Sequence, residues 1–225
     1  LKSVRSLRPL FGKAHVNFGE PLALASLLDA HHPGWREASA DSEGPWSRSA
    51  TRLSAAEIAK RINEAAVLNP VNLVALALLA TPKHTADEQA LHRLIGHYQA
   101  LAAEAPYSPN AIPCRLDAGE IVAYGERLGF VERFRDPLGD LIRVAAAQAP
   151  LLSYFRNNVL HLFALPAVIA CLLSLNRRLD ANRVAQAVRG ICTLMRAELF
   201  LRWSPDELPA ASEAIIGVLL ARGLL

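Results

Sequence analysis

The sequence predicts a mainly α (α+β) fold, and three observations carry that reading. The chain is 52% hydrophobic but only 6% aromatic, with alanine and leucine dominant, a composition that favours helices. Apolar residues recur at helical spacing in several stretches opened by capping residues. One short segment, Asp136-Pro137-Leu138-Gly139-Asp140, carries the turn chemistry of a hairpin.

At 225 residues the chain can bury a sizeable core. His15-Val16-Asn17-Phe18 alternates like a short strand that Gly19-Glu20-Pro21 would end. Residues 22–29 then read as helix or turn. The stretch 36–53, rich in Ser, Ala, Asp, Glu, Gly and Pro without periodicity, is the expected linker. It separates an N-terminal segment, 1–35, from a helical domain, 54–225. Ser54 with Glu57 forms a capping-box pattern for a helix that carries Ile58 and Ile62 on one side. Asn69-Pro70 interrupts it, and residues 71–80 continue as a strongly apolar helix.

Thr85 with Glu88 repeats the capping signal, and Leu91, Leu94, Ile95, Tyr98 and Leu101 form a 3.6-residue stripe to about Glu104. Residues 105–115 hold three prolines and read as a loop. Asp117 is placed to cap a helix reaching about Leu128, where Gly129 stops it. Residues 130–135 and 141–145 flank the turn as the two strands of the hairpin. Asp180 opens a helix whose inner face carries Val184, Val188, Ile191, Met195 and Leu199, with Glu198 and Arg202 as an i,i+4 pair. Pro205-Asp206-Glu207 starts the last helix, with Ile215, Ile216, Leu219 and Leu220 directed at the core.

Helix, helix, helix and hairpin between Leu73 and Val144 outline a winged-helix-like unit. Nucleic-acid binding does not follow. Its third helix carries Asp117, Glu120 and Glu126 against Arg127, and its hairpin balances Arg133, Arg135 and Arg143 with Glu132, Asp136 and Asp140. Phosphate contacts need a net basic surface, and the whole chain carries only +3. No nucleic-acid partner is expected.

Tyr154-Phe155-Arg156-Asn157-Asn158, with His161, opens into the apolar run 160–175 and is the most informative tract. As one helix from Asn157 to Leu175 it would set Asn157 and His161 on one face at i,i+4, with Asn158 reaching His161 at i,i+3. Arg156 would stand at the mouth of the apolar wall, a junction suited to an anionic headgroup with an apolar tail. Arg-Asn-Asn at a helix start serves equally as a capping and solvation device, and a single histidine beside a core helix is commonly a satisfied core residue. No formal charge falls between Arg156 and Arg177, near the ~20 residues a span requires. The polar residues within that stretch favour a buried or membrane-facing helix instead, and Pro166 should kink it.

No phosphate-binding glycine loop and no nucleophile elbow occurs. His31-His32 reads as a solvated turn. Cys114, Cys171 and Cys192 lack metal-ligand spacing, and Cys171 reads as a small core residue in a reducing compartment. No catalytic constellation, metal site or cofactor is expected. The chain opens on Leu1 and holds a single methionine, Met195, which marks it as a fragment or processed piece.

Taken together, the segments 16–22 (Val-Asn-Phe-Gly-Glu-Pro-Leu), 154–161 (Tyr-Phe-Arg-Asn-Asn-Val-Leu-His) with Pro166, and 197–203 (Ala-Glu-Leu-Phe-Leu-Arg-Trp) resemble the C-terminal portion of the bacterial membrane-bound glycerol-3-phosphate 1-O-acyltransferase family. The resemblance implies a parent enzyme that moves a fatty acyl group from acyl-CoA or acyl carrier protein to the 1-hydroxyl of sn-glycerol 3-phosphate, in phospholipid synthesis. It also implies a membrane lipid surface as partner, and a place on the cytoplasmic face of the bacterial inner membrane, peripheral or monotopic. Residues 1–35 would then end an α/β acyltransferase domain with its terminal strand. That family uses a His-x4-Asp motif, in which the histidine takes the hydroxyl proton and the aspartate holds the imidazole. None of the seven histidines here has Asp five residues on: His15 meets Glu20 and His161 meets Pro166, for example. The chain alone is therefore expected to be inactive. Arg156, Asn157, Asn158 and His161 are the candidates for substrate binding or domain docking.

Overall fold

The computed structural model describes residues 15–37, 45–175 and 180–225. Among them the helices are α1 (Leu24–His31), α2 (Pro45–Glu64), α3 (Pro70–Leu79), α4 (Glu88–Glu104), α5 (Ala118–Arg127), α6 (Ala149–Asn157), α7 (Leu160–Leu175), α8 (Ala181–Leu199) and α9 (Leu208–Ala221). Three short strands, β1 (Thr85–Asp87), β2 (Val131–Phe134) and β3 (Leu141–Val144), form an antiparallel sheet in the order β1-β3-β2. The mainly α expectation stands.

Helix α3 is the axle of the molecule. Asn69 takes the N-cap position: its side chain accepts from Asn72 N at 3.0 Å, while Asn72 Oδ1 accepts from Asn69 N at 2.9 Å. Pro70 follows in the first turn, where its missing N–H costs nothing. The helix is apolar on all sides, which demands burial all round, and Leu73, Ala75, Ala77 and Leu78 have no exposed surface. It packs against α4, α5 and α6. Gly125 on α5 permits close approach, since a Cβ there would stand 3.3 Å from a Val131 methyl and 3.5 Å from Val74.

Asp117 caps α5 in a reciprocal box with Glu120, and Gly129 ends the turn at φ +72°. The hairpin forms as expected, with Glu132 opposite Arg143 and Arg133 opposite Ile142. The third strand was not expected. Thr85 pairs with Arg143 in β1, so Thr85 does not cap α4; Asp87 does, accepting from Ala90 N at 3.0 Å. A β-branched threonine beside a waiting sheet edge satisfies more backbone groups as strand than as cap.

Two of the three hairpin arginines, Arg133 and Arg143, are already neutralised. Arg133 donates to Glu88 at 2.7 and 2.8 Å, to Glu126 at 2.7 Å and to Asp140 at 2.9 Å, and Arg143 pairs with Glu132 at 3.0 Å. Of the three, Arg135 alone stays exposed without an ion pair among the described residues, too little for a phosphate-binding face.

Several other expectations are corrected. Residues 15–23 form no strand: among the described residues no neighbour pairs with them, and Val16 and Phe18 stay exposed. Helix α2 starts at Pro45, inside the expected linker, rather than at Ser54, and the linker's residues 38–44 lie outside the described residues. Ile58 and Ile62 share one side of α2, but that side is exposed. Cys171 is exposed and Cys192 is the buried cysteine, because α7 turns its 169 rather than its 171 position inward. The Glu198–Arg202 pair is absent, since α8 ends at Phe200 with φ +47° and Arg202 turns to the Tyr107 carbonyl. On α9, Ile215 and Leu219 are buried while Leu220 is 59% exposed, one position round the helix.

Candidate functional site

The most informative tract is two helices, not one. α6 stops at Asn157, α7 starts at Leu160, and the axes of 146–157 and 160–175 differ by 82°. Asn158 N bonds back to Tyr154 O at 3.1 Å and Val159 N to Arg156 O at 3.1 Å, closing α6 with tightened turns. Asparagine and β-branched valine are poor helix residues, so the break falls where propensity is weakest. The free carbonyl of Phe155 near that end is taken up by Asn72 Nδ2 at 2.7 Å, a cap supplied from α3. The expected i,i+4 face joining Asn157 to His161 therefore does not exist. Helix α7 runs without interruption through Pro166, and the sharp bend lies seven residues earlier. Arg177, the far end of the uncharged run, lies outside the described residues.

The break opens a cavity of about 620 Å³. Asn157, Asn158 and His161 line it, so three of the four candidate residues are brought together by the corner itself rather than by helix periodicity. Arg156 stands beside the cavity in the last turn of α6. Its guanidinium donates to Asn157 Oδ1 at 3.2 and 3.3 Å.

Amides supply most of the polar part of the walls, from Asn17, Asn63, Asn69, Asn72, Asn157 and Asn158, set among apolar residues such as Ile62, Val67 and Phe155. Residue spacing did not point to Asn63, whose partners come from distant sequence. The Asn69-Pro70-x-Asn72 pattern was readable as an N-cap signal, though its place in a cavity was not. Asn63 joins three helices. Its side chain donates to Leu199 O at 2.7 Å, and its carbonyl oxygen accepts from His161 Nε2–H at 3.0 Å. A carbonyl only accepts, so Nε2 carries the proton.

His161 is 4% exposed, and burial pushes its pKa down to about 4, so the ring is neutral near pH 7. It stacks edge-on with Tyr107, which stacks in turn with Trp203. The Tyr107 hydroxyl accepts from Arg202 N at 2.8 Å, and burial raises that phenol to about 12. This arrangement pins α7 to the 197–203 segment. It supplies no proton relay: no carboxylate is bonded to the imidazole, and its one partner is a backbone carbonyl.

Among the described residues the only formally charged side chain on the cavity wall is Glu198, an exposed carboxylate, with the imidazoles of His15 and His161 beside the amides. The N-terminus of α3, a position of the kind that attracts anions, is occupied by its own asparagine box. Among the described residues the walls therefore offer amide donors and acceptors without a lysine or arginine. Among the described residues no three His, Cys, Asp or Glu side chains are grouped to hold a metal.

Exposed apolar side chains neighbour two of the lining residues, Asn17 and Ile62. Residues 15–23 cross α2 there, tied by Asn17 Nδ2 to Ala65 O at 3.3 Å and by Arg61 to Glu20 O at 2.9 Å and Pro21 O at 3.2 Å. Val16, Phe18, Ile58 and Ile62 are 77, 91, 49 and 67% exposed on that side.

Comparison with known proteins gives a consistent result. The family model described as "Glycerol-3-phosphate acyltransferase C-terminal region" matches residues 1–225. The glycerol-3-phosphate acyltransferases of Pseudomonas paraeruginosa and Pseudomonas aeruginosa are each 40% identical to this chain over 226 residues, and that of Pseudomonas entomophila is 38% identical over 229. Each alignment covers all of this chain but 27% of the relative, so the chain spans about a quarter of their length.

Proposed function

The chain belongs to the glycerol-3-phosphate acyltransferase C-terminal region family, and from that premise we propose that it is the non-catalytic C-terminal region of a glycerol-3-phosphate O-acyltransferase. The parent transfers a fatty acyl group from the thioester of acyl-CoA or acyl carrier protein to the 1-hydroxyl of sn-glycerol 3-phosphate, releasing the free thiol. The first dedicated product of phospholipid synthesis results. The single observation that carries this reading is the family match over the entire chain, combined with coverage of only 27% of each relative.

Division of labour follows from the site. His161 is neutral, buried and committed to a backbone carbonyl, and no His-x4-Asp occurs in the sequence. Proton abstraction from the glycerol hydroxyl then belongs to the part of the parent outside this chain. Arg156, Asn157, Asn158 and His161 serve to bind substrate or to dock this region onto the catalytic part.

The order α3-β1-α4-α5-β2-β3, with β3 central in the sheet, supports a winged-helix-like unit used as scaffold. The parent works at the cytoplasmic face of the bacterial inner membrane, held peripherally or monotopically. Among the described residues no single helix is long and apolar enough to cross a membrane, and the apolar pair α6–α7 turns through 82°. Leu151 and Tyr154 are also exposed one helical turn apart on α6.

The test is acyl transfer by the purified full-length parent, with labelled glycerol 3-phosphate and either thioester. Formation of 1-acyl-glycerol 3-phosphate is expected. A parent that acylates nothing, under conditions where a Pseudomonas relative is active, would overturn the assignment.

A further inference from the structure

We propose that the asparagine-walled cavity at the α6–α7 corner, with its apolar rim, is the socket for an uncharged loop of the parent's own upstream polypeptide. This inference rests on the proposed function and names the partner of that same site. Three observations lead to it.

The first is chemistry. A phosphate or phosphopantetheine terminus needs cations or free backbone N–H groups. Among the described residues the cavity wall holds neither lysine nor arginine, and the α3 N-terminus is already capped. Asparagine amides instead present one acceptor and two donors each, the complement of a peptide group. Asn157 has its amide nitrogen open, and Asn158 makes no side-chain hydrogen bond among the described residues; both are exposed at the mouth. Asn63, Asn69 and Asn72 are held in place by bonds of their own.

The second is the rim. Ile62 lines the cavity while staying largely exposed, and Val16 and Phe18 are exposed on either side of Asn17, which also lines it. Apolar side chains around a polar, amide-lined centre suit a loop that inserts its backbone and flanks it with apolar residues.

The third is the route of the chain. Residues 15–23 cross α2 beside this cavity, and His15 and Asn17 stand in its wall. The larger part of each relative lies outside the aligned region, which is far more than enough to fill the socket. A loop of the same polypeptide also arrives at high effective concentration, so modest contacts suffice.

A photo-crosslinking amino acid placed at Ile62 or at Asn158 in the full-length parent tests this, with Leu138 at the exposed hairpin turn as control. After irradiation, crosslinked peptides are identified by mass spectrometry. Positions 62 and 158 should join to residues upstream of this chain at least about ten times more often than position 138. Crosslinks confined to lipid, to a second copy or to this region's own residues would overturn the proposal. Should either bulky replacement disturb folding, Ile62→Cys and Leu138→Cys in the same parent give a second reading. Position 62 should react with a maleimide about ten-fold more slowly than 138, and equal rates would overturn the socket. Acyl transfer is measured on the same preparations. An active parent without upstream crosslinks removes the socket and leaves the function, whereas crosslinks in an inactive parent do the reverse.

Discussion

His161 donates through Nε2–H to the carbonyl oxygen of Asn63 at 3.0 Å, joining α7 to α2 across 98 residues of sequence. Because Asn63 also reaches Leu199, this one contact holds three helices around the cavity.

That contact predicts a pH dependence. Burial depresses the folded pKa of His161 to about 4 from an ordinary 6.5, so the unfolded chain takes up the proton first. The stabilisation is fully present above pH 6.5 and is lost as pH falls towards about 4, with a total near 3 kcal/mol at 1.36 kcal/mol per unit. His161→Gln removes the titration. Urea midpoints at pH 7, 6, 5 and 4 should show the variant gaining on the natural chain as pH falls. Parallel curves would show that the imidazole is not protected from protonation.

Asn72 bonds reciprocally with Asn69 and holds the Phe155 carbonyl at 2.7 Å while being 2% exposed. Asn72→Ala keeps the Asn69 cap but orphans the Asn69 N–H and the Phe155 carbonyl, a combined loss of about 2–4 kcal/mol. Equilibrium urea unfolding measures it, and a change under half a kcal/mol would contradict the role of α3 as the cap of α6.

Arg133 gathers Glu88, Glu126 and Asp140, and its bonds hold the Glu88 carboxyl below its ordinary range. Arg133→Met leaves three carboxylates facing one another and should cost about 1–3 kcal/mol at neutral pH. A carboxylate with a depressed folded pKa stabilises above its unfolded value, near 4.5, and loses that contribution as pH falls through the folded value. The difference between Arg133→Met and the natural chain should therefore shrink below about pH 4.5. Thermal unfolding at pH 7 and pH 4 compares the two.

Arg156 sits beside the cavity rather than inside it, bonded to Asn157. If the corner is a docking surface, Arg156→Ala in the full-length parent lowers kcat about ten-fold and leaves the KM for glycerol 3-phosphate unchanged. A phosphate-binding role would raise that KM instead. Steady-state kinetics over substrate concentration separates the two.

Local signals were readable wherever a side chain acts on its own neighbourhood. Asp117 with Glu120, Gly129 at positive φ, Asp180 and the 136–140 turn all declare themselves within four residues, and the hairpin and most helix limits follow from them. Partners from afar did not. β1 exists because β3 offers an edge 58 residues on, opposite Thr85, and a three-residue strand has no period of its own. The corner at Asn158 was hidden because an apolar run reads alike whether straight or bent, and its stability comes from Asn72. The site showed the same limit. Arg156, Asn157, Asn158 and His161 stood out as an unusual cluster, while Asn63 and Asn72 are ordinary residues until the fold brings them to the corner. The acyltransferase family was recognised from three short segments, and two of them, 154–161 and 197–203, meet through Tyr107, His161 and Trp203.

The most direct measurement is acyl transfer by the isolated 225-residue chain, given palmitoyl thioester and labelled glycerol 3-phosphate beside the full-length parent. The expected result is product from the parent and none above the uncatalysed rate from the isolated chain. Turnover by the isolated chain would place the proton-abstracting group within these residues and contradict the assignment of this region as non-catalytic.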